Sequence, residues 1–496
     1  KQYTMTFETN SDSTVPTRLY YSGDSLNLPE LEDSTEYFGG WYLDEDFTTL
    51  MEYNEMPSKN LTLYAKWMDI EILDTPIVIG VDNDDMGAAL IQKWNEDFPE
   101  YEGLLEFRNY GSANGDNSGM QGIQLQQSEA PDVALVIDGE VLQHKEHASM
   151  LPEHFHNFGD SKVHEDAFNS VNRDKYTYLP AFYDGMVFSW NETILNDLGI
   201  DTTDSNGDGL PESIDTWEEI FAISEGSQWA PDNRPTIEVP GNNDTYTMYE
   251  MFPLSLDEVW SGYSSLTSGG WNIHMNDDLS NPEFDSPKFK TGLEFIKAFS
   301  ETNMSVDETG AKKAADEMAW RWDAYLHGAY PMSMVGTWQN VDDAEDSTGF
   351  DFHFSKMPTY KGENLNPLMK TKGFVINKYS ENQGLAIEVL KWLYTKDSME
   401  TMIDNSSYVP AIQNGSDIYP EISNENREEF RIGMKYNHLE TIGTLPNNSE
   451  VNAMDVYYNM RLNDYFKEIW DGTLTPDEAH QMIIDDSENW ITENNQ

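Results

Sequence analysis

The sequence predicts an α/β protein of two lobes preceded by a small β-rich module, and three observations carry that expectation. From residue 76 onward, apolar runs of strand length alternate with amphipathic helices, the pattern of a mostly parallel sheet covered on both faces. Residues 1–67 lack this alternation and show short Tyr-, Thr- and Phe-rich segments between polar turns. The 496 residues also exceed what one hydrophobic core sustains, since single cores stop growing at about 250–300 residues.

Taken in order, "YTMTF", "RLYY" and "LTLYAKW" read as strands of the module. The short segment "MDIEILDT" links it to "PIVIGV", an apolar strand. In "MGAALIQKWNEDF" the residues Met86, Leu90, Trp94 and Phe98 recur four apart, on one helical face. A strand "LLEFRNY", a helix "MQGIQLQQ" and a strand "PDVALVI" follow. Further strands lie in "KYTYLPAFYDGMVFSWNETILNDLGID", and long helices are expected at "PKFKTGLEFIKAFSET" and "KKAADEMAWRWDAYLHG". Strands "AYPMSMVG", "DFHFSKMP" and "GFVINKY" precede the helix "NQGLAIEVLKWLY". The last helix opens on "TPDE", where Thr475 caps, Pro476 suits the first turn and Glu478 completes a capping box.

Composition narrows the function classes. The formal net charge of -61 repels phosphate, so nucleic acid and anionic membrane surfaces are excluded as partners. Without cysteine there is no disulfide, thiolate nucleophile or zinc–thiolate site. No apolar run reaches the roughly 18 residues of a spanning helix. The start "KQYTMTFETN" reads as a strand with no signal-peptide pattern, which leads us to expect a natural beginning upstream.

Two resemblances then become specific. "STEYFGGWYLDEDFTTLMEYNEMPSKNLTLYAKW" resembles an internalin-B-type repeat, a β-grasp-like cell-surface module that serves as spacer or adhesive element. The ordered pieces "PDVALVIDG", "LPAFYDGMVFSWNETILNDLGI", "LHGAYPMSMVGTW", "MPTYKG", "GFVINKYSENQGLAIEVLKWL", "SYVPA" and "YFKEIWDGTLTPDEA" resemble the sugar-type extracellular solute-binding proteins of ABC importers, the maltodextrin-binding type. That resemblance implies a two-lobed periplasmic-binding-protein-like fold with a hinge and an interlobe cleft. The expected layout is a module over 1–69, a linker over 70–75 and a solute-binding protein over 76–496. Lobe 1 takes about 76–180 and 372–408, and lobe 2 takes about 181–371 and 409–496. It further implies a monomeric, non-catalytic receptor for an oligosaccharide, with maltooligosaccharide the first choice, that passes its ligand to membrane permease subunits. The setting implied is extracellular, on the surface of a Gram-positive-type bacterium, held by a lipid anchor.

A sugar offers an apolar C–H face and a rim of hydroxyls, which aromatic rings and carboxylates respectively complement. With 14 Trp and 26 Tyr the chain has rings to spare, although any one ring is more often core than contact. Trp338, at the carboxyl end of a strand, matches the family's stacking tryptophan. Tyr183 and Asp184 match the lobe crossing, where the family holds a hydroxyl-binding acid. Asp82, Asp84 and Asp138 follow strand ends, where open α/β sheets bind ligands, although acidic loops are equally ordinary solvated surface. Tyr249 and Tyr458 are further expected rings, with Trp260 and Trp271 behind them; Trp320 and Trp322 read as packing for a helix.

"DSNGDGLPESID" reads as a twelve-position calcium loop. Asp204, Asn206 and Asp208 fall at positions 1, 3 and 5, Gly209 at the sharp turn, Leu210 at the carbonyl position, Glu212 at 9 and Asp215 at 12. Oxygen ligands at this spacing suit calcium, and Asp in place of Glu at the last position has a shorter reach. A capping box of Thr216 and Glu219 starts the next helix, so the expected calcium is structural rather than sensory.

Two rival readings attach to particular residues. A glycoside hydrolase would need paired carboxylates at a spacing that sequence does not reveal, and no G-x-S-x-G, P-loop or H-E-x-x-H motif is present. His144, His147, His154, His156 and His164 fall close together, the pattern of a metal-binding surface, but their spacing fits no closed tetrahedral set and they read as exposed. Adhesion through residues 1–67 as the main activity is the remaining alternative.

Overall fold

In the computed structural model the element order of the first part is β1 (Gln2–Glu8), β2 (Arg18–Tyr21), β3 (Glu36–Tyr42), β4 (Leu61–Asp69), β5 (Ile77–Val81), α1 (Asp84–Asp97), β6 (Leu105–Asn109), α2 (Gly119–Gln124), β7 (Val133–Ile137), β8 (Leu179–Asp184) and β9 (Met186–Asn191). Then come α3 (Glu192–Asp197), α4 (Trp217–Ser224), the paired strands β10 (Thr236–Glu238) and β11 (Thr245–Thr247), α5 (Pro287–Ser300), α6 (Trp322–Leu326), β12 (Met332–Gly336), α7 (Asp342–Thr348) and β13 (Phe352–Ser355). The chain closes with β14 (Thr359–Tyr360), β15 (Glu363–Asn364), β16 (Lys370–Ile376), α8 (Gln383–Leu393), α9 (Lys396–Asp404), β17 (Val409–Pro410), α10 (Leu462–Asp471) and α11 (Pro476–Asn494). The residues described are 1–11, 14–26, 36–49, 55–69, 76–110, 119–137, 140–141, 144–151, 177–184, 186–226, 230–233, 236–238, 245–247, 284–307, 309–317, 322–336, 341–364, 370–411, 428–433 and 462–494, with a few isolated positions between them.

The module is a four-stranded sheet in the order β2–β1–β4–β3, in which β1 runs antiparallel to β2 and parallel to β4. Its strands alternate: Met5, Phe7, Leu61, Leu63 and Ala65 point to one buried face. Trp41 packs edge-on against Phe7 at 5.0 Å and donates its ring N–H to the Pro29 carbonyl at 2.6 Å. Trp67, partly buried, likewise donates to the Thr9 carbonyl at 2.6 Å, so both indoles have their polar atom satisfied.

The chain separates into two compact units. One takes Lys1–Ala181, Gly373–Asn405 and Ile412–Pro420, the other Phe182–Lys372, Ser406–Ala411 and Glu421–Gln496. A six-stranded sheet has the order β17–β8–β16–β7–β5–β6, and the division between units falls inside β8 and inside β16. In the first unit β5 pairs in parallel with both β6 and β7. All of β7 and four of the five residues of β5 are buried, which is why these strands are apolar throughout rather than alternating. Helix α1 starts on Asn83, whose side chain accepts the Met86 N–H at 2.9 Å, and buries Met86, Leu90 and Trp94; Phe98 is the residue that ends it.

In the second unit β9 is the centre of an antiparallel sheet, β12–β9–β13. Its core gathers Phe188, Trp217, Phe295, Phe299 and Trp470, with Trp217 edge-on to Phe295 at 5.0 Å. Both expected capping boxes are present. Thr216 and Glu219 start α4, and Thr475 caps α11, whose Glu478 N–H donates to Thr475 Oγ1 at 3.2 Å.

One expected helix is not formed as a single element. Among the described residues of this stretch the chain makes a bridge at Lys312, a short turn of 3-10 helix at Ala315–Glu317 and α6. The reason is tertiary. The Lys313 N–H donates to the Ser305 carbonyl at 2.9 Å beside the Val306–Lys312 bridge. The Lys312 side chain and the Ala315 N–H reach the Trp470 carbonyl and Asp471 at 2.6 and 3.2 Å, so the start of this stretch is held by outside partners and not by a helical turn.

Candidate functional site

The calcium-type loop is wound around its first residue. Asp204 accepts the N–H groups of Gly207 at 2.7 Å, Asp208 at 3.3 Å and Gly209 at 2.8 Å. Asn206 accepts from Asp208 N–H at 2.8 Å, Asp208 from Leu210 N–H at 3.1 Å, and Glu212 reaches back to Ser205 N–H at 2.8 Å. The turn requires φ of +89° at Gly209, a left-handed conformation that costs glycine nothing. Leu210 and Ile214 are buried in the core beside Trp217, which anchors the far side of the loop.

A cation already faces this loop from within the chain. Lys356 Nζ lies 2.5 Å from Asp208 Oδ2 and 3.6 Å from Asp215 Oδ1, so positions 5 and 12 address one positive charge. Burial alone would lower the lysine, but Asp208 and then Asp215 outweigh it and hold the ammonium above its ordinary range. Burial raises the Asp215 carboxyl; Lys356 opposes this, and Asp208 and Glu219 add to it. The loop is docked on the same segment by Thr359, whose N–H donates to the Asp215 carbonyl at 3.1 Å. The donor set is all oxygen and two of its carboxylates converge on a positive charge, so these residues fit a hard cation.

The expected sugar contacts distribute as follows. Asp82 is half-buried just past β5, and Asp84, in the first turn of α1, is exposed and accepts the Asn109 side-chain N–H at 2.7 Å. Tyr183 is 6% exposed and stands opposite Val409 of the "SYVPA" segment. Around it, Phe182 stacks on Tyr408 with ring centroids 5.0 Å apart, and Lys372 donates to the Tyr408 hydroxyl at 3.0 Å. Asp184 is the last residue of β8. Trp338, Asp138, Tyr249 and Tyr458 lie outside the described residues, as do Trp260, Trp271 and Trp320. Beyond β12, Gly336 N–H donates to the buried Gln339 side chain at 2.8 Å.

Of the five clustered histidines, His144 and His147 are described, and neither is the exposed surface residue expected. Both are half-buried, and His147 Nδ1 pairs with the Tyr379 hydroxyl at 2.7 Å. Burial depresses the His144 imidazole.

A group that sequence reading missed surrounds His353. Its Nε2 is 3.1 Å from Glu192 and 3.6 Å from Asp351, and its Nδ1 is 3.1 Å from Glu429. Burial would lower this imidazole, but Glu429, Glu192 and Asp351 together raise it to about 9. Asp351 stands two residues away in "DFHFS", but that pair alone announces nothing, because Glu429 and Glu192 come from 76 residues downstream and 161 upstream.

Two α/β units, with β8 and β16 each contributing to both, define the two-lobed class of ligand-binding proteins. Residues 113–425 match the family model of the bacterial extracellular solute-binding proteins. This is more than half of the chain, and the chain belongs to that family. Residues 3–66 match the Listeria-Bacteroides repeat domain, a finding that places the module in a repeat family without showing the internalin-B type in particular. Comparison with curated proteins finds none that matches. Among solved structures, the chain is similar in fold to a maltose-binding periplasmic protein of Listeria monocytogenes crystallised with maltose, with a TM-score of 0.57 and 14% identity over 85% of this chain and 98% of that one.

Proposed function

We propose that this solute-binding protein is a cell-surface receptor for an oligosaccharide, which it hands unaltered to the permease subunits of an ABC importer. The observation that carries the reading is the family match over residues 113–425. The likeness in fold to a protein solved with maltose supports a carbohydrate ligand, and maltooligosaccharide is the first candidate. Trp338 supplies the stacking ring, with Asp82, Asp84, Asp138, Tyr183, Asp184, Tyr249 and Tyr458 as the remaining contacts. The module over residues 3–66 acts as an internalin-B-type spacer that carries the receptor away from the surface.

Calcium occupies the loop of Asp204, Asn206, Asp208, Leu210, Glu212 and Asp215 as a structural ion, displacing Lys356 from Asp208 and Asp215. The wound loop and its two converging carboxylates support this assignment.

Thermal unfolding of the chain across a panel of oligosaccharides tests the receptor reading, because a ligand that binds only the folded state raises the melting temperature. Maltooligosaccharides are expected to raise it with no product formed. Release of shorter sugars would instead establish a hydrolase, and indifference to every sugar would remove the carbohydrate. Replacing Trp338 by Ala should weaken binding by about 2–4 kcal/mol, the range of a buried aromatic anchor. A chelator should lower the melting temperature and leave sugar affinity almost unchanged.

A further inference from the structure

We propose that His353, Glu192 and Asp351 form a binding site for a divalent transition metal of the zinc type, separate from the calcium-type loop. The three ligand atoms, His353 Nε2, a Glu192 oxygen and an Asp351 oxygen, all lie within 4.8 Å of one another. Ligands about 2.1 Å from a tetrahedral ion are separated by about 3.4 Å. The Nε2 distances of 3.1 Å to Glu192 and 3.6 Å to Asp351 already bracket that edge.

The site is built rather than accidental. His353 is held from beneath by Trp190, its cross-strand partner in β9, with ring centroids 4.3 Å apart and an interplanar angle of 22°. Glu429 accepts at Nδ1 and also takes the Phe354 N–H at 3.1 Å, so it is fixed twice. A carboxylate on one imidazole nitrogen sets the other toward the ion, the arrangement by which proteins orient a metal-binding histidine. Glu192 is placed by the start of α3, where its N–H donates to the Asp351 carbonyl at 2.8 Å, and its carboxylate accepts from Thr202 at 2.8 Å. Asp351 in turn is placed by its own N–H on Thr193 Oγ1 at 3.2 Å.

Access and charge agree. The Asp351 side chain is 62% exposed and that of His353 26%, so an ion enters from solvent and water completes its shell. An imidazole ligand selects zinc-like ions over calcium or magnesium, which prefer oxygen alone. On binding, the ion replaces the Nε2 proton, which leaves to solvent, and the two carboxylates that surround that proton hold the dication in its place.

Titration of the full chain with zinc alone, in excess calcium so that the loop at Asp204 is saturated, tests the site. We expect one zinc per chain at this site, with affinity at least tenfold weaker in both His353→Gln and Asp351→Asn, and Glu429→Gln weaker by about tenfold through loss of orientation. Cobalt should give visible absorption of a four- or five-coordinate site in the wild type and lose it in His353→Gln. Because the Asp351 side chain is exposed, its variant keeps the test valid if His353→Gln fails to fold. Zinc binding equal in the wild type and in both variants overturns the proposal, as does a wild type that binds no zinc; background binding at other histidines survives in all variants and is thereby told apart.

Discussion

Lys356 is the residue on which the calcium-type loop turns. Its ammonium occupies the charge position that a bound ion would share, since Asp208 and Asp215 both face it. Two cations cannot be held by the same carboxylates at full strength, so lysine and calcium compete. Replacing Lys356 by Gln should therefore tighten calcium about fivefold, on the order of 1 kcal/mol, while lowering calcium-free stability because two acids lose their partner. A calcium titration showing equal or weaker affinity in the variant removes Lys356 as a competitor. A second residue whose identity is forced is Gly373, at the point where β16 enters the first unit. A Cβ there would lie 2.2 Å from the Leu179 carbonyl oxygen and 2.7 Å from the Tyr178 ring, with backbone that cannot step aside. Gly373→Ala is expected to cost roughly 1–3 kcal/mol, the range for forcing atoms into a packed region. Unfolding by denaturant measures it, and an unchanged midpoint would mean that β8 and β16 separate more easily than their packing indicates.

At the level of elements, α1 packs against α9, and one tryptophan of α8 adds a polar anchor to it. Trp392 of α8 packs edge-on to Trp94 at 5.3 Å and donates its ring N–H to Asp97 at 2.9 Å, while Lys93 pairs with the same carboxylate one turn away. Burial alone would raise the Asp97 carboxyl, but the Lys93 and Trp392 hydrogen bonds outweigh it and hold it below the usual aspartate range. A depressed carboxyl contributes stability that is complete above the unfolded value and lost as pH falls through the folded one. Asp97→Asn, which keeps an acceptor for Trp392, should cost about 0.5–1 kcal/mol at neutral pH, and its deficit should begin to shrink as pH falls below about 4 and vanish below the depressed folded value. A deficit independent of pH would assign the effect to the hydrogen bond and not to the charge. Local signals such as these were legible in the sequence: the spacing of Met86, Leu90 and Trp94 and both capping boxes are short-range, and each is found as expected. The failures have a common cause. Residues 312–328 have helical periodicity, yet Lys312 and Ala315 bond to Trp470 and Asp471, more than 150 residues away. Glu192 and Glu429 likewise reach His353 only through tertiary packing, and so does Lys356 on Asp208, 148 residues apart.

For the whole molecule, the two-lobed α/β class was legible because alternation of strand and helix persists over hundreds of residues, and burial of β5 and β7 on both faces follows from their uniform apolarity. Ligand identity was not legible, because it depends on where rings and carboxylates point, which no spacing encodes. The charge, in contrast, is a property of the whole chain that sequence states outright: 90 acidic against 29 basic side chains. Screening acts on it in two opposed ways. Salt weakens ion pairs such as Lys361–Glu294 and Lys290–Asp477, but exposed pairs are worth about 0–1 kcal/mol each and the basic residues are too few to form many. Salt also relieves repulsion among the unpaired acids, which grows with the square of the net charge and opposes the compact state. Repulsion should win. With calcium kept in excess, raising sodium chloride from about 10 mM to about 0.5 M shortens the screening length from roughly 30 Å to a few ångströms and should raise the melting temperature, with most of the gain at the low end. Neutralising exposed acids such as Glu102, Asp197 and Asp485 to their amides should shrink that salt response. A melting temperature that stays flat or falls with salt would show that the acids are already neutralised by bound cations or by pairing, and that net repulsion does not limit the stability of this chain.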